Sequence, residues 1–499
     1  MKYPIFRCLG IALAAALAQP AGAQQLTPVQ RTAIDSTLDR LFGLGLAPGL
    51  GIAVVRDTQV IYLKGLGYAD AEARRPFTPQ TVFYVASTTK SFTGLAAAML
   101  DLQGKFRLDA PLSRYLPQAR LKPPRHADSI TIRQLLSHSH GIAGGPVEMR
   151  LAYTGEYQGN EQLVSLLAEH NALPDQSYRY SNLGYNVAAM AMETVTGESW
   201  KETLQRLIFT PLGMKSTSAF VSRFPAERLA MPYGSTPAGY ARIRYGKTDA
   251  NMQSAGGLVT TLTDYARWLE VHLNDGRLDG KQVLPAAAVR EAHRPQVRYS
   301  REARGLAMVG YGLGWNIGLV NGRDTLFTHG GGFPGFATSM SFAPAYRVGI
   351  VVMANTGDLG GALTELTAQA VYGIVTGGGP LTADSLAALQ GIVARERENI
   401  GADRTRRAAR PQTTPLPFAA YAGRYENPLM GTLVLALNPE GKLEASSGVA
   451  WSAVEVFDGT KHQLRVELFG SGSVLTMNVD GDRVVSATLN GQTFRRVRE

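Results

Sequence analysis

A serine and a lysine lie three positions apart in the stretch YVASTTKSFT, near the start of a predicted helix. These residues are Ser87 and Lys90. Because a helix turns once in 3.6 residues, the two side chains would lie on one face, a turn apart. If that face is buried, the lysine loses its proton more readily and can activate the serine hydroxyl as a nucleophile. A solvated helix surface is the alternative, since so short a pattern also recurs by chance.

Two later stretches contain side chains of similar chemical interest. In YRYSNLGYN, Tyr180 precedes Asn182 by two positions, and in FTHGGGFPGF, His329 precedes three glycines. Ser-x-x-Lys and His-x-Gly each occur once in the chain. Tyr-x-Asn recurs at Tyr425 and Asn427, within a β-rich stretch where we interpret it as structural.

The order of the three motifs resembles that of the penicillin-binding proteins and serine β-lactamases, and the tyrosine in the second motif is typical of the class C branch. Flanking stretches resemble the same family, among them ITIRQLLSHSHGI, NMQSAGGLVTTLTDYARWL and HGGGFPGFATSMSFAP. The resemblance covers roughly residues 30–375. It implies a β-lactamase/transpeptidase-like fold of the α/β (α+β) class.

The resemblance also implies a role for each motif residue. Ser87 would be the nucleophile and Lys90 its proton partner. Tyr180, with a phenol pKa lowered by neighbouring cations, would pass protons to the leaving group. Asn182 would orient the substrate and Lys90. The backbone N–H groups of Ser87 and Gly332 would form an oxyanion hole, which contributes on the order of 3 kcal/mol per donor in such sites.

The third motif departs from the β-lactamase pattern, which mostly has Lys-Thr-Gly. Here His329 takes the place of the lysine, and Lys247-Thr248 is followed by Asp249 instead of glycine. A histidine is only partly charged at neutral pH, so we expect a weaker, pH-dependent hold on a substrate carboxylate. His-x-Gly is similar to the esterase and D-aminopeptidase members of the family. Gly331 and Gly332, having no side chains, would let the substrate backbone approach closely.

A second departure is His140, where the family usually has serine. His138 and His140 could be interpreted as a metal-binding pair, but no third ligand is apparent in the sequence. We therefore interpret His140 as a hydrogen-bonded loop histidine. The predicted chemistry requires neither a metal nor an organic cofactor.

The N-terminus predicts export to the periplasm or the medium. Lys2 and Arg7 precede the apolar run LGIALAAALA, and cleavage is expected after Ala23, which makes residues 1–23 a signal peptide. The only cysteine, Cys8, would leave with it, which excludes disulfides and thiolate chemistry from the mature protein. No later stretch is long and apolar enough to predict a membrane span. The net charge of +10 comes from scattered residues, so we expect no nucleic-acid partner.

The remaining chain predicts two domains. A hydrolase domain is expected over 24–376, as an antiparallel sheet built from both chain ends and flanked by helices, with a helical subdomain inserted. Residues 377–417 are interpreted as a linker, helical over 383–397 and then a polar, Arg- and Pro-rich connector. Over 418–499, short alternating strands and turn signals predict a small all-β barrel that resembles a lipocalin-like domain.

These observations predict an exported serine hydrolase that forms an acyl-enzyme on Ser87. Its substrate would be a small molecule or peptide with an ester, amide or β-lactam carbonyl, and an esterase or D-amino-acid peptidase/amidase is favoured. The alternatives are a class C-like β-lactamase or D,D-carboxypeptidase, and a catalytically idle protein that binds wall peptides or another ligand. An ordinary α/β-hydrolase is disfavoured because the chain contains no Gly-x-Ser-x-Gly elbow. The sequence predicts no oligomeric state.

Overall fold

The computed structural model describes residues 25–156, 159–303, 306–320 and 322–497. The predicted signal peptide lies outside these residues. The helices are α1 Pro28–Phe42, α2 Thr89–Leu102, α3 Ile132–Leu136, α4 Pro146–Met149, α5 Asn160–Leu166, α6 Asn182–Thr196, α7 Trp200–Leu204, α8 Leu262–Leu273, α9 Ala286–His293, α10 Gly360–Thr376, α11 Ala383–Ala408 and α12 Phe418–Tyr421. None of the helices in these residues is long and apolar enough to span a membrane.

The strands form two groups along the chain, one before α11 and one after it. Those before it are β1 Gly49–Arg56, β2 Gln59–Asp70, β3 Arg75–Pro76, β4 Phe83–Tyr84, β5 Tyr233–Thr236, β6 Gly239–Arg242, β7 Val259–Thr260, β8 Arg277–Leu278, β9 Lys281–Gln282, β10 Val297–Ala303, β11 Leu306–Tyr311, β12 Asn316–Val320, β13 Asp324–Phe333, β14 Phe336–Ala343 and β15 Val348–Ala354. Those after it are β16 Gly423–Asn427, β17 Gly431–Leu437, β18 Leu443–Ser447, β19 Ala450–Ala453, β20 Glu455–Asp458, β21 Gln463–Val466, β22 Ser473–Asp480, β23 Arg483–Leu489 and β24 Gln492–Arg496.

The predicted sheet from both chain ends is confirmed. Nine strands pair in the order β10-β11-β12-β13-β14-β15-β1-β2-β3, and the late strand β15 pairs antiparallel with the early strand β1. The stretch GIAVVRDTQVIYLKG predicts a hairpin, which is the β1–β2 pair. Because β1 lies in the middle of the sheet with both faces covered, seven of its eight residues are buried. This burial explains its nearly continuous apolar sequence.

Helices cover both faces of the sheet and divide the core into two clusters. Ala53 and Val55 of β1 point into the cluster that contains residues of α2 and α8. Ile52 and Val54 point into the other cluster, with residues of α1, α10 and α11. This alternation is the two-residue period of a strand. The helix predicted over 383–397 joins the second cluster through Leu389 and Val393 and extends to Ala408, so the first part of the expected polar connector is helical.

The C-terminal strands form the predicted all-β unit. They pair antiparallel in the order β19-β18-β17-β16-β24-β23-β22-β21-β20, a nearly closed barrel-like sheet with its own apolar core. Two of its turn signals, Asp480-Gly481 and Asn490-Gly491, join β22 to β23 and β23 to β24. Tyr425 lies in this core and donates to the backbone oxygen of Tyr421, so its structural interpretation is confirmed.

The barrel-like unit contacts a segment that enters the cleft of the first domain. Backbone N–H groups of Thr432 and Val449 donate to the Glu156 carboxylate and the Thr154 oxygen, both at 2.8 Å. The Tyr245 hydroxyl donates to the oxygen of Leu468 at 2.5 Å. The barrel therefore supports residues 150–156 and Tyr245 from outside.

Removal of residues 416–499 should leave a folded first domain, because no buried member of its two core clusters belongs to the barrel, although the half-buried Leu429 packs against the first cluster. Loss of the hydrogen bonds to Thr154 and Glu156 should loosen one wall of the cleft and lower kcat/KM by about tenfold to a hundredfold. Thermal unfolding and hydrolysis of a neutral aryl ester measure the two effects. Aggregation of the truncated chain would show instead that the barrel covers apolar core surface.

Candidate active site

The predicted nucleophile and its lysine lie together at the beginning of α2. Ser87 is part of a single 3₁₀ turn, Ala86–Thr88, that leads into the helix. Lys90 follows one turn later, and its Nζ lies 3.2 Å from Ser87 Oγ. Ala86 has a φ of +48°, an uncommon backbone conformation for a residue with a side chain. Such strain tends to concentrate at functional sites, and here it immediately precedes the nucleophile.

Lys90 is fully buried and donates three hydrogen bonds. Besides Ser87, its partners are Asn182 Oδ1 and the backbone oxygen of Ala255, both at 2.7 Å. Burial lowers the pKa of Lys90 to about 7, against the opposing effect of the Glu148 carboxylate, which raises it. A substantial fraction of Lys90 is therefore a neutral amine near pH 7, as the argument from burial predicted.

Tyr180 and Asn182 are placed by the beginning of α6. Ser181 is the N-cap of this helix, and its side chain accepts from the backbone N–H of Leu183. Glu148, on α4, accepts from both Ser181 Oγ at 2.6 Å and Leu183 N at 2.5 Å. This carboxylate thus fixes the helix start from which Asn182 reaches Lys90, although no sequence motif identified it.

Tyr180 lies against the nucleophile, but its expected pKa shift is wrong in sign. The side chain exposes 45% of its surface along the cleft, while its hydroxyl forms a hydrogen bond with Ser87. Burial of the hydroxyl end raises the pKa of Tyr180, and the bond to Ser87 only partly opposes that effect. The ammonium of Lys90 lies 4.7 Å from the centre of the ring, over its face and not at the hydroxyl. Tyr180 is therefore a protonated phenol at neutral pH.

The expectation that His329 is partly charged at neutral pH is also wrong. Its side chain is only 2% exposed, and burial, aided by Lys90, lowers its pKa to about 3. Nδ1 lies 2.7 Å from the backbone oxygen of Gly330, which can only accept, so Nδ1 carries the proton. Nε2 then accepts from the Tyr311 hydroxyl at 3.1 Å. A neutral imidazole in this position cannot hold a carboxylate by charge.

The glycines of β13 differ in what surrounds them. A Cβ on Gly331 would lie 2.2 Å from the backbone oxygen of Val85, just before the Ser87 turn. A Cβ on Gly332 would meet no atom within 4 Å, and this residue lines the cleft together with Ser87. Gly331 therefore permits the close packing of β13 on the nucleophile's turn, and Gly332 leaves space above it. The oxyanion hole of Ser87 and Gly332 N–H groups stays a prediction.

These two glycines form a matched pair for mutagenesis. In Gly331→Ala the methyl group must displace backbone, at a cost of up to about 3 kcal/mol. We therefore expect the Tm to fall by about 5 to 10 °C. Gly332→Ala has room for the methyl group and should keep the parent Tm, while obstructing the cleft. Equal Tm values for the two variants, measured by calorimetry, would contradict this account of β13.

The paired histidines 138 and 140 each accept a backbone hydrogen bond. Nδ1 of His138 accepts from Ser181 N at 3.2 Å, and Nδ1 of His140 accepts from Ile142 N at 3.1 Å. Burial lowers the pKa of both, that of His140 to about 4. Within the described part of the chain, no group of three or more potential ligands could hold a metal ion. His140 is the hydrogen-bonded loop histidine that we predicted.

Two spaces border Gly332, and the nucleophile lines the smaller one. A pocket of about 80 Å³ is lined by Ser87, Asn182 and Gly332, and also by Glu148 and Lys247, neither of which was predicted to lie there. A larger groove of about 550 Å³ runs past Tyr180, His329 and the three glycines. Gly332 borders both spaces. A carbonyl carbon next to Ser87 therefore lies in the smaller pocket.

Comparison with known proteins agrees with this geometry. The Beta-lactamase family model matches residues 38–372. Unguisins hydrolase ungD of Aspergillus violaceofuscus is 29% identical over 448 residues, which make up 80% of this chain and 75% of the relative. A penicillin-binding protein homologue from Pyrococcus abyssi aligns with a TM-score of 0.59 and 20% identity, covering 94% of this chain and all of the homologue.

A D-amino acid amidase from Ochrobactrum anthropi SV3, in complex with L-phenylalanine, aligns with a TM-score of 0.60 and 24% identity over 70% of this chain and 99% of the amidase. At such identities the two solved structures establish the fold alone. The family model covers most of the chain, and the chain belongs to the Beta-lactamase family of serine hydrolases.

Proposed function

We propose that this protein is an exported serine hydrolase that cleaves ester or amide bonds of small molecules or peptides through an acyl-enzyme on Ser87. One observation carries the proposal: a buried lysine with a pKa of about 7 lies 3.2 Å from a serine hydroxyl in an open cleft. An amine that is partly neutral at working pH is what a serine requires of its general base.

The proposed reaction uses the four motif residues in turn. Lys90 takes the proton of Ser87, whose oxygen attacks the substrate carbonyl. Tyr180, a protonated phenol hydrogen-bonded to Ser87, gives a proton to the leaving group. Asn182 holds the Lys90 amine by accepting its hydrogen bond. Water then hydrolyses the acyl-enzyme, and the same groups act in reverse.

An esterase or D-amino-acid amidase or peptidase is the finer assignment. Its support is the neutral His329 at the place where the β-lactamase motif has a permanently charged lysine. Export to the periplasm or the medium is supported by the basic and apolar pattern of residues 1–23. The β-lactamase motif differs in having a permanent cation at the place of His329, where it holds the substrate carboxylate.

A fluorophosphonate probe tests the proposal directly. We expect one adduct, which mass spectrometry of the digested protein places on Ser87. A panel of p-nitrophenyl esters, D-amino-acid amides and nitrocefin then identifies the bond that is cleaved. Absence of any adduct, with no turnover across the panel, would favour the idle binding protein.

A further inference from the structure

Lys247 is a second lysine in the cleft, and the reaction described above does not use it. It comes from an irregular segment before the 3₁₀ turn Asp249–Asn251 and lines the same 80 Å³ pocket as Ser87. Its sequence neighbourhood, Lys-Thr-Asp, matches no motif of the family. The pocket lies on the other side of Gly332 from the groove that His329 borders.

The surroundings of its ammonium group are electron-rich but uncharged. Nζ donates to the backbone oxygen of Ala152 at 2.8 Å and has a longer contact, 3.4 Å, with that of Asn251. It also lies 3.6 Å from the ring centre of Phe333 and 4.8 Å from that of Tyr84. Carbonyl oxygens and ring faces attract a cation but do not neutralise it.

No described acidic side chain is paired with this lysine. Burial is the cause that lowers the pKa of Lys247 well below its usual value, and no carboxylate acts against it. The acid of the same pocket, Glu148, is held by Ser181 and Leu183 at the start of α6. Burial without a counter-ion therefore disfavours the protonated form of this lysine, and a carboxylate that enters the pocket would favour it.

We propose that Lys247 binds a carboxylate of the substrate, so that the pocket beside Ser87 selects esters or amides that carry a negative charge close to the scissile bond. The inference rests on the proposed hydrolase function and names the substrate class within it. A volume of about 80 Å³ corresponds to two or three water-sized groups. It accepts a carboxylate and its adjoining carbon, while the rest of the substrate stays in the open cleft.

Two pairs of matched compounds test the charge preference in the parent protein. The pair 3-carboxyphenylboronic acid and 3-carbamoylphenylboronic acid differs only in charge, and both compounds can form a tetrahedral adduct on a nucleophilic serine. The esters 3-carboxyphenyl acetate and 3-carbamoylphenyl acetate differ in charge in the same way, and they report the charge preference in turnover. We expect the anionic compound to be favoured about tenfold in Ki and in kcat/KM, as for a charge-assisted hydrogen bond. No preference for the anion in either pair overturns the proposal.

Substitution of Lys247 then tests whether this lysine causes the preference for the anionic ester. Lys247→Met should reduce the ratio of kcat/KM for the anionic over the neutral ester about tenfold, and Lys247→Arg should retain most of that ratio. A purely structural role would lower both esters together and leave the ratio unchanged in both variants. Equal loss of the ratio in the Met and Arg variants would also overturn the proposal, because the charge would then be irrelevant.

Lys201 provides a matched control outside the cleft. It too donates to a backbone oxygen, that of Asp249 at 2.7 Å, and lies over the ring of Phe220 at 4.8 Å. The Lys201→Met variant should therefore have the same ratio of kcat/KM for the anionic over the neutral ester as the parent protein. Failure of the proposed function gives a different result, because without an acyl-enzyme neither ester is hydrolysed and the fluorophosphonate forms no adduct. Hydrolysis of the neutral ester without charge preference would reject only the role of Lys247.

Discussion

Replacement of Ser87 by alanine should reduce kcat/KM for every substrate by about 10⁴-fold or more, because it removes the atom that forms the acyl-enzyme. Lys90→Met and Tyr180→Phe should each cause a severe loss. These side chains contact the same serine, so the effects should not add, and each double variant should be barely worse than the Ser87 variant alone. Steady-state kinetics on a neutral aryl ester measure the whole series.

The control for this series is Tyr425→Phe, which alters the other Tyr-x-Asn pattern. Tyr425 lies in the core of the barrel-like unit, where its hydroxyl donates to Tyr421. The variant should lose some stability and keep the catalytic constants of the parent. Undiminished turnover by the Ser87→Ala protein would reject the acyl-enzyme and the assignment built upon it.

The sequence predicted the parts of the site that depend on local spacing. Ser87 and Lys90 are one helical turn apart, so a single helix start is enough to bring them together. Tyr180 and Asn182 flank an N-cap serine, which fixes them relative to α6. The sheet from both chain ends was equally predictable, because its central strands are short apolar runs between turn signals.

Other parts of the site depend on long-range packing, which the sequence does not encode in any short pattern. Glu148 and Lys247 reach the cleft from segments that are almost 100 residues apart, and neither belongs to a motif. For His329 the residue type was evident, but its burial was not, so an ordinary pKa led to the wrong charge. For Tyr180, burial of the hydroxyl raises the pKa, and no local pattern in the sequence indicates that burial. Burial, which depends on the packed fold, therefore determines the protonation states of His329 and Tyr180.

The value of kcat/KM should rise with pH through about pH 7. This rise reports the ionisation of Lys90 in the free enzyme. Below that pH the amine is protonated and cannot accept the Ser87 proton; above it the amine is neutral and active. An inflection near 7 is ordinarily attributed to histidine. Here burial lowers the pKa of His329 to about 3 and that of His140 to about 4, and it lowers that of His138 well below its usual value. The pKa of each of the three lies below that of an ordinary histidine, so none of them produces an inflection near pH 7.

Glu148→Gln distinguishes Lys90 from His329 as the source of that inflection. The Glu148 carboxylate raises the pKa of Lys90, so its replacement by a neutral amide should lower that pKa and move the rising limb toward acid. The amide oxygen can still accept from Ser181 or Leu183, which keeps the start of α6 in place. His329→Asn is the control. The kcat/KM of this variant should still rise near pH 7, whatever its absolute rate. A limb that moves with His329→Asn and not with Glu148→Gln would assign the base to the histidine, and the neutral-lysine mechanism would be wrong.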